Sequence, residues 1–243
     1  MKEIVLVTGA NKGIGLEVSK TLAQNGMKVL MGARSSQRGE EAVSQLKSQG
    51  LDVEFIHLDV TDEADRAEAV RKIGDRYGKL DALVNNAAVL HEEKGLGSSK
   101  VLEVSQAVLK DTFETNFFAL VDLTQKMIPL LRKSSNPRIV NVSSILGSLK
   151  KALDRESGGP SDTPFAYNAS KVAVNCFTIH LAGALKPEGI RVNSVHPGWV
   201  QTDMGGEQAP LSIREGAKTI VDLVLNDTSS HSRFLHLGEE LPW

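Results

Sequence analysis

An α/β fold is predicted for this chain: one doubly wound parallel sheet of about seven strands, helices on both faces, all in a single domain. Three observations predict it. Short apolar runs alternate with stretches of helical spacing, a glycine-rich turn directly follows the first run, and glycines stand where the first helices should end. Strands that alternate with helices imply a parallel sheet, because each connecting helix buries its apolar stripe by lying on a face of the sheet. With 243 residues the chain is long enough for one such sheet and one large core.

The strands are read, in order, at Ile4 to Val7, Val29 to Met31, Val53 to Ile56, Ala82 to Val84, Ile139 to Val142 and Ile190 to Val195. Their nearly continuous apolar character suits strands covered on both faces. Leu16, Val18 and Leu22 mark the first helix, closed by Gly26, and Ala42, Val43 and Leu46 mark the second, closed by Gly50. Thr61-Asp62-Glu63 reads as a helix start, a capping side chain followed by acid in the first turn. A long helical segment runs from about Val104 to Lys133, and a further helix begins near Tyr167. Between them, residues 148–164 are rich in Gly, Pro, Ser and charge and are read as a lid-like insertion within the single domain of residues 1–243.

Composition narrows the function. Hydrophobic residues at 41% and charged residues at 24% are those of an ordinary folded protein, so disorder is not expected. A net charge of −2 provides no field to attract nucleic acid or an anionic membrane, and no apolar run is long enough to span a bilayer. Met1-Lys2-Glu3 leads straight into a strand without a signal-like stretch, which makes the cytoplasm the expected location. Cys176, the one cysteine, reads as a small core residue. The six histidines do not cluster at ligand spacing and no G-x-S-x-G elbow occurs, so neither a metal nor hydrolase chemistry is expected.

The turn Thr8-Gly9-Ala10-Asn11-Lys12-Gly13-Ile14-Gly15 lies between a strand and a helix. Glycines there let the backbone approach a pyrophosphate seated on the helix N-terminus, where free N–H groups and the helix dipole favour anions. The spacing of Gly9, Gly13 and Gly15 differs from G-x-G-x-x-G and resembles that of the short-chain dehydrogenase/reductase family, whose sheet is of the Rossmann type. In a dinucleotide fold an acid about twenty positions further on holds the ribose 2′-hydroxyl, while an arginine accepts a 2′-phosphate. Here Ala33 stands eighteen residues after Gly15 and Arg34 follows it, with Lys12 as a second cation. That pattern resembles the NADP-preferring members; the plain alternative is that Arg34 is a solvated loop charge. Asp59-Val60 resembles the family's adenine contact, though Asp59 could equally be a helix N-cap. Asn85-Asn86-Ala87-Ala88 resembles the Asn-Asn-Ala-Gly signature, with Ala88 where the family has glycine.

The remaining matches imply chemistry. Tyr167 and Lys171 are one helical turn apart and share a face, and a cation beside a phenol is expected to lower the phenol's pKa. Ser144, rather than its neighbour Ser143, matches the catalytic serine that bonds the substrate oxygen, and Asn116 resembles the asparagine completing the tetrad, holding a water of a proton relay. Pro197-Gly198-Trp199-Val200-Gln201-Thr202 resembles the segment that holds the nicotinamide carboxamide through the Val200 backbone and Thr202; Trp199 is either a pocket wall or core.

With Pro242-Trp243, these motifs look most like the monomeric carbonyl reductases. The resemblance implies reduction of a small-molecule ketone or aldehyde by NADPH, with Tyr167 as proton donor and a monomer favoured over a homo-oligomer. Two rivals are an NADP-dependent alcohol dehydrogenase working oxidatively and a non-catalytic NADPH-binding regulator.

Overall fold

In a strand, successive side chains point to opposite faces, and both faces of this sheet must be apolar to carry helices. The computed structural model describes residues 2–92, 101–154, 163–226 and 229–243. Its strands are β1 (Ile4–Thr8), β2 (Lys28–Ala33), β3 (Val53–His57), β4 (Ala82–Asn85), β5 (Arg138–Val142), β6 (Arg191–Val195), β7 (Phe234–His236) and β8 (Glu239–Glu240). They pair in the order β3-β2-β1-β4-β5-β6-β7-β8, parallel as far as β7, with β8 antiparallel at the edge. The eight strands are the six read from the sequence together with β7 and β8, which close the sheet beyond β6. β8 is two exposed glutamates, which carry no apolar signature to read.

Alternation divides the core in two. Val5, Val7, Val29 and Met31 face one layer with α1 (Gly13–Gln24), α2 (Ser36–Lys47) and α8 (Ile213–Leu225). Ile4, Leu6, Leu30 and Leu83 face the other, with α3 (Glu63–Tyr77), α5 (Ala119–Leu131) and α7 (Phe165–Leu185). Three helices thus cover each face, as the alternating pattern requires.

The segment read as one long helix is interrupted. α4 (Gln106–Phe113) is capped by Ser105 and passes into a π-helical turn, Glu114–Phe118, before α5 begins. Such a wide turn inside an α-helix often marks a functional position, and Asn116 sits in its middle. Gly26 and Gly50 take positive φ as the helix-closing role demands. Ser148 caps a short helix, α6 (Leu149–Leu153), which opens the predicted insertion; residues 155–162 of that insertion lie outside the described residues. Cys176 is exposed on α7, against expectation, because its neighbours Val174, Asn175 and Thr178 take the buried stripe of the helix. Among the described residues no helix is long and apolar enough to cross a membrane.

Candidate active site

Strand order reverses between β1 and β4, and in open α/β sheets the crevice at that switch point, beyond the carboxyl ends of the strands, receives ligands. A cleft of about 820 Å³ lies there. Its floor is stitched together by Thr8 at the end of β1: the hydroxyl accepts from the N–H groups of Asn86 and Ala87, each at 3.0 Å. The Asn86 amide returns bonds to the carbonyls of Thr8 at 2.9 Å and Gly9 at 3.2 Å.

The glycines follow from this closeness. Gly9 and Gly13 take φ of +64° and +56°. A Cβ on Gly15 would lie 2.4 Å from the Gly9 carbonyl and 2.6 Å from the Asn86 amide, so no side chain fits. α1 has neither a side-chain cap at Lys12 nor acid in its first turn. Its first N–H groups and the positive end of its dipole are thus free for an anion in the cleft, which Gly9, Asn11, Lys12, Gly13, Ile14 and Gly15 line.

The two cations expected at a 2′-phosphate differ. Arg34, exposed beside the cleft just past β2, forms no ion pair among the described residues. Lys12 is already paired, its ammonium 2.5 Å from Asp203 across the cleft mouth, which leaves Arg34 as the better-placed cation. Asp59 and Val60 also line the cleft. The N-cap role open to Asp59 belongs to Asp62, which accepts from Asp65 N at 3.0 Å; Asp59 instead makes a turn, accepting from Thr61 N at 2.9 Å. Ala87 and Ala88 line the cleft too, and Ala88 is not among the residues with positive φ, so its replacement of glycine costs no backbone strain.

At the chemical end, Tyr167 and Lys171 project from the first turns of α7 into the cleft. Ser144 acts on the Tyr167 phenol and favours its ionised form, whereas the Ser143 hydroxyl, on the cleft lining, points to the Lys171 carbonyl at 3.3 Å. Lys171 is buried, donates to the Val142 carbonyl at 2.8 Å, and holds its nitrogen 5.4 Å from the centre of the Tyr167 ring. The expected lowering of the phenol pKa is not found. Burial pushes Tyr167 up to about 12, the Ser144 hydrogen bond opposing it, and burial pulls Lys171 down to about 8. The ammonium lies over the ring, and desolvation sets the direction of both shifts.

Asn116 lies behind the cleft, almost fully buried. Its oxygen accepts from Val89 N at 2.8 Å, and its nitrogen donates to the Val89 carbonyl at 3.0 Å and to the Ser170 hydroxyl at 3.1 Å. A polar ladder in the core fixes α7 to the sheet: Asn85 donates to Asn141 at 2.8 Å, Asn141 to Thr178 at 2.9 Å, and Thr178 meets Ser194 at 2.9 Å.

The segment after β6 closes the remaining side. Pro197 and Thr202 line the cleft, while Val200 is buried behind it. Gly198 takes φ of +91°, and a Cβ there would meet Leu211 at 2.2 Å. Trp199 is not core: it is 52% exposed, with its indole N–H donating to the Gly205 carbonyl at 2.8 Å.

Sequence reasoning missed Ser170, Val89, Asp203 and Glu92. Glu92 accepts from the N–H groups of Ala166 and Tyr167, a contact between residues 74 and 75 positions apart. Its one local trace is that α7 starts after Pro164, a residue with no side-chain acceptor.

Residues 3–211 match the short chain dehydrogenase family. The chain is 32% identical to short-chain dehydrogenase/reductase 1 of Saponaria officinalis, over 99% of this chain and 95% of that one. It is 30% identical to the NADPH carbonyl reductase 1 of Mus musculus, over 100% of this chain and 99% of the other. Among solved structures, the NADPH-bound carbonyl reductase from chicken fatty liver superposes with a TM-score of 0.86 at 27% identity, covering 100% of both chains.

Proposed function

This chain belongs to the short chain dehydrogenase family of oxidoreductases, and from that premise we propose that it reduces a small-molecule ketone or aldehyde to the alcohol, with NADPH as reductant and Tyr167 as proton donor. The observation that carries the reading is the placement of Tyr167, Lys171 and Arg34 on one cleft.

The cleft suits the cofactor. An uncapped α1 N-terminus and a turn without room for a Cβ at Gly15 accept a pyrophosphate, and Arg34 offers a planar cation to a 2′-phosphate where no carboxylate ends β2. Asp59 and Val60 serve the adenine; Asn86 and Ala87 support the cofactor from β4. Pro197, Gly198, Val200 and Thr202 hold the nicotinamide side.

NADPH, when bound, supplies a hydride to the carbonyl carbon. The carbonyl oxygen then takes the Tyr167 proton, which a phenol held near pKa 12 retains at neutral pH until negative charge develops beside it. Ser144 donates a hydrogen bond to that oxygen. Lys171, a turn further along α7, binds cofactor ribose hydroxyls and lowers the cost of the phenolate left behind. Asn116 acts as a brace: its two amide hydrogens go to the Val89 carbonyl and the Ser170 hydroxyl. We further propose a cytoplasmic location and a monomer in preference to a homo-oligomer; light scattering at micromolar concentration should then return one chain's mass.

The test is a panel of aliphatic, aromatic and quinone carbonyls followed by NADPH absorbance, run beside Tyr167→Phe. The variant should lose about 10²-fold or more in kcat, the usual worth of a positioned proton donor, with NADPH affinity within about twofold. No turnover by the parent across the panel, or near-parent turnover by the variant, overturns the reading.

A further inference from the structure

The helices α2, α3, α4, α6 and α8 each start on a serine or aspartate that caps its own N-terminus. The helices α1 and α7, which both open onto the cleft, do not. For α1 the unpaired donors face the anion-binding turn. For α7 they are taken by a carboxylate from elsewhere in the chain: Glu92 accepts from Ala166 N through Oε1 at 2.8 Å and from Tyr167 N through Oε2 at 3.0 Å. Two of the first donors of the helix are thereby satisfied, and one belongs to Tyr167 itself.

Glu92 extends from the loop that follows β4, the same loop that lines the cleft at Asn86, Ala87 and Val89. The other side of Tyr167 is tied to that loop as well. Its carbonyl accepts from the Ser170 hydroxyl at 2.7 Å, Ser170 accepts from Asn116, and Asn116 grips both backbone groups of Val89. The backbone of Tyr167 is therefore held at its N–H and at its C=O by connections that return to residues 89 and 92.

We propose that Glu92 is a positioning residue for Tyr167, a long-range helix cap that sets the phenol against the cofactor-lining loop. This rests on the reading of Tyr167 as proton donor. A helix end capped from its own preceding residue would be equally stable but would carry no information about where the β4 loop lies. A carboxylate spanning the two makes the phenol's place depend on the loop that holds the cofactor. Proton transfer is sensitive to sub-ångström placement, since a shift of about 1 Å can cost about 10²-fold in rate.

The test uses the parent, Glu92→Ala, Glu92→Gln and Tyr167→Phe, each preloaded with NADPH and mixed with the fastest carbonyl of the panel. The first-order single-turnover rate of NADPH oxidation is the readout, because an unfolded fraction reduces its amplitude and leaves the rate untouched. Glu92→Ala should slow that rate about tenfold or more while NADPH affinity stays within about twofold. Glu92→Gln, which keeps an acceptor oxygen for one of the two N–H groups, should recover a large part of it. A single-turnover rate in Glu92→Ala equal to the parent's, or one that falls only in amplitude, overturns the proposal. Should Glu92→Ala not fold, a Glu92→Gln rate indistinguishable from the parent's overturns it too, and a rate slowed about twofold or more supports it. If Tyr167→Phe turns over normally, the reading of Tyr167 fails and the Glu92 proposal with it. If Tyr167→Phe is inactive and the Glu92 variants are normal, only the Glu92 proposal fails.

Discussion

Asn116 and Ser170 stand 54 positions apart in the chain, and the amide of the first donates to the hydroxyl of the second at 3.1 Å inside the protein. One residue belongs to a π turn between α4 and α5, the other to the first turns of α7. Their bond brings the middle of one helical layer to the back of the residue proposed as proton donor, through the Ser170 bond to the Tyr167 carbonyl.

Asn116→Ala should therefore be costly in two ways. It strands both backbone groups of half-buried Val89 and removes a partner from buried Ser170. A buried polar group left unpaired costs about 1–3 kcal/mol, and an expected total of about 3 kcal/mol should lower Tm by about 6–12 °C in a domain of this size. Calorimetry measures the shift; a Tm within about 2 °C of the parent would show that Asn116 is not a brace.

Arg34→Asp should reverse the cofactor preference. Losing a charge-assisted contact to a 2′-phosphate costs on the order of 1.5–3 kcal/mol, or about 10- to 100-fold in NADPH affinity, while the new carboxylate favours a ribose hydroxyl. Lys12→Met should cost less, since the Lys12 charge is already shared with Asp203. Titration of both variants with NADPH and NADH decides it, and equal use of the two cofactors by the parent would remove the role given to Arg34.

Acid should loosen the segment that follows β6. Burial, with His236 nearby, pulls His196 down to about 4, and its Nδ1 accepts from Gly198 N at 3.3 Å, a bond that protonation destroys. A folded-state pKa below the unfolded value of about 6.5 means that this stability is fully present above pH 6.5 and is lost as pH falls through 4. Between pH 7 and pH 4.5 the loss should be about 2 kcal/mol, after allowance for partial exposure of the ring. Urea unfolding at the two pH values measures it, and His196→Asn, which keeps an acceptor, should flatten the dependence. A parent slope no steeper than that of the variant would contradict the assignment.

The alternation of apolar strands and helices, the turn from Gly9 to Gly15 and the pair Tyr167 and Lys171 were legible because each is written in neighbouring residues. A strand's two faces, a helix's one stripe and a tight turn's glycines are local consequences of backbone geometry. What the sequence left open was decided by distant contacts. The alternative N-cap role of Asp59 fell to Asp62, whose carboxylate accepts from Asp65 N. Cys176 was misplaced because one residue of rotation on α7 separates the buried stripe from the exposed face.

The sequence by itself therefore determined the layered α/β architecture and the residue types of the motifs that meet at the cleft. Only the tertiary structure decided the electrostatics and the alignment. Tyr167 is raised and Lys171 lowered because desolvation acts on both, a property of everything packed around them rather than of their four-residue spacing. Lys12 is paired with a partner 191 positions away, and Tyr167 is held by Glu92 and Ser170, of which the first lies 75 positions distant. Hydrogen bonds and desolvation act over a few ångströms of space, and distance along the chain does not enter them.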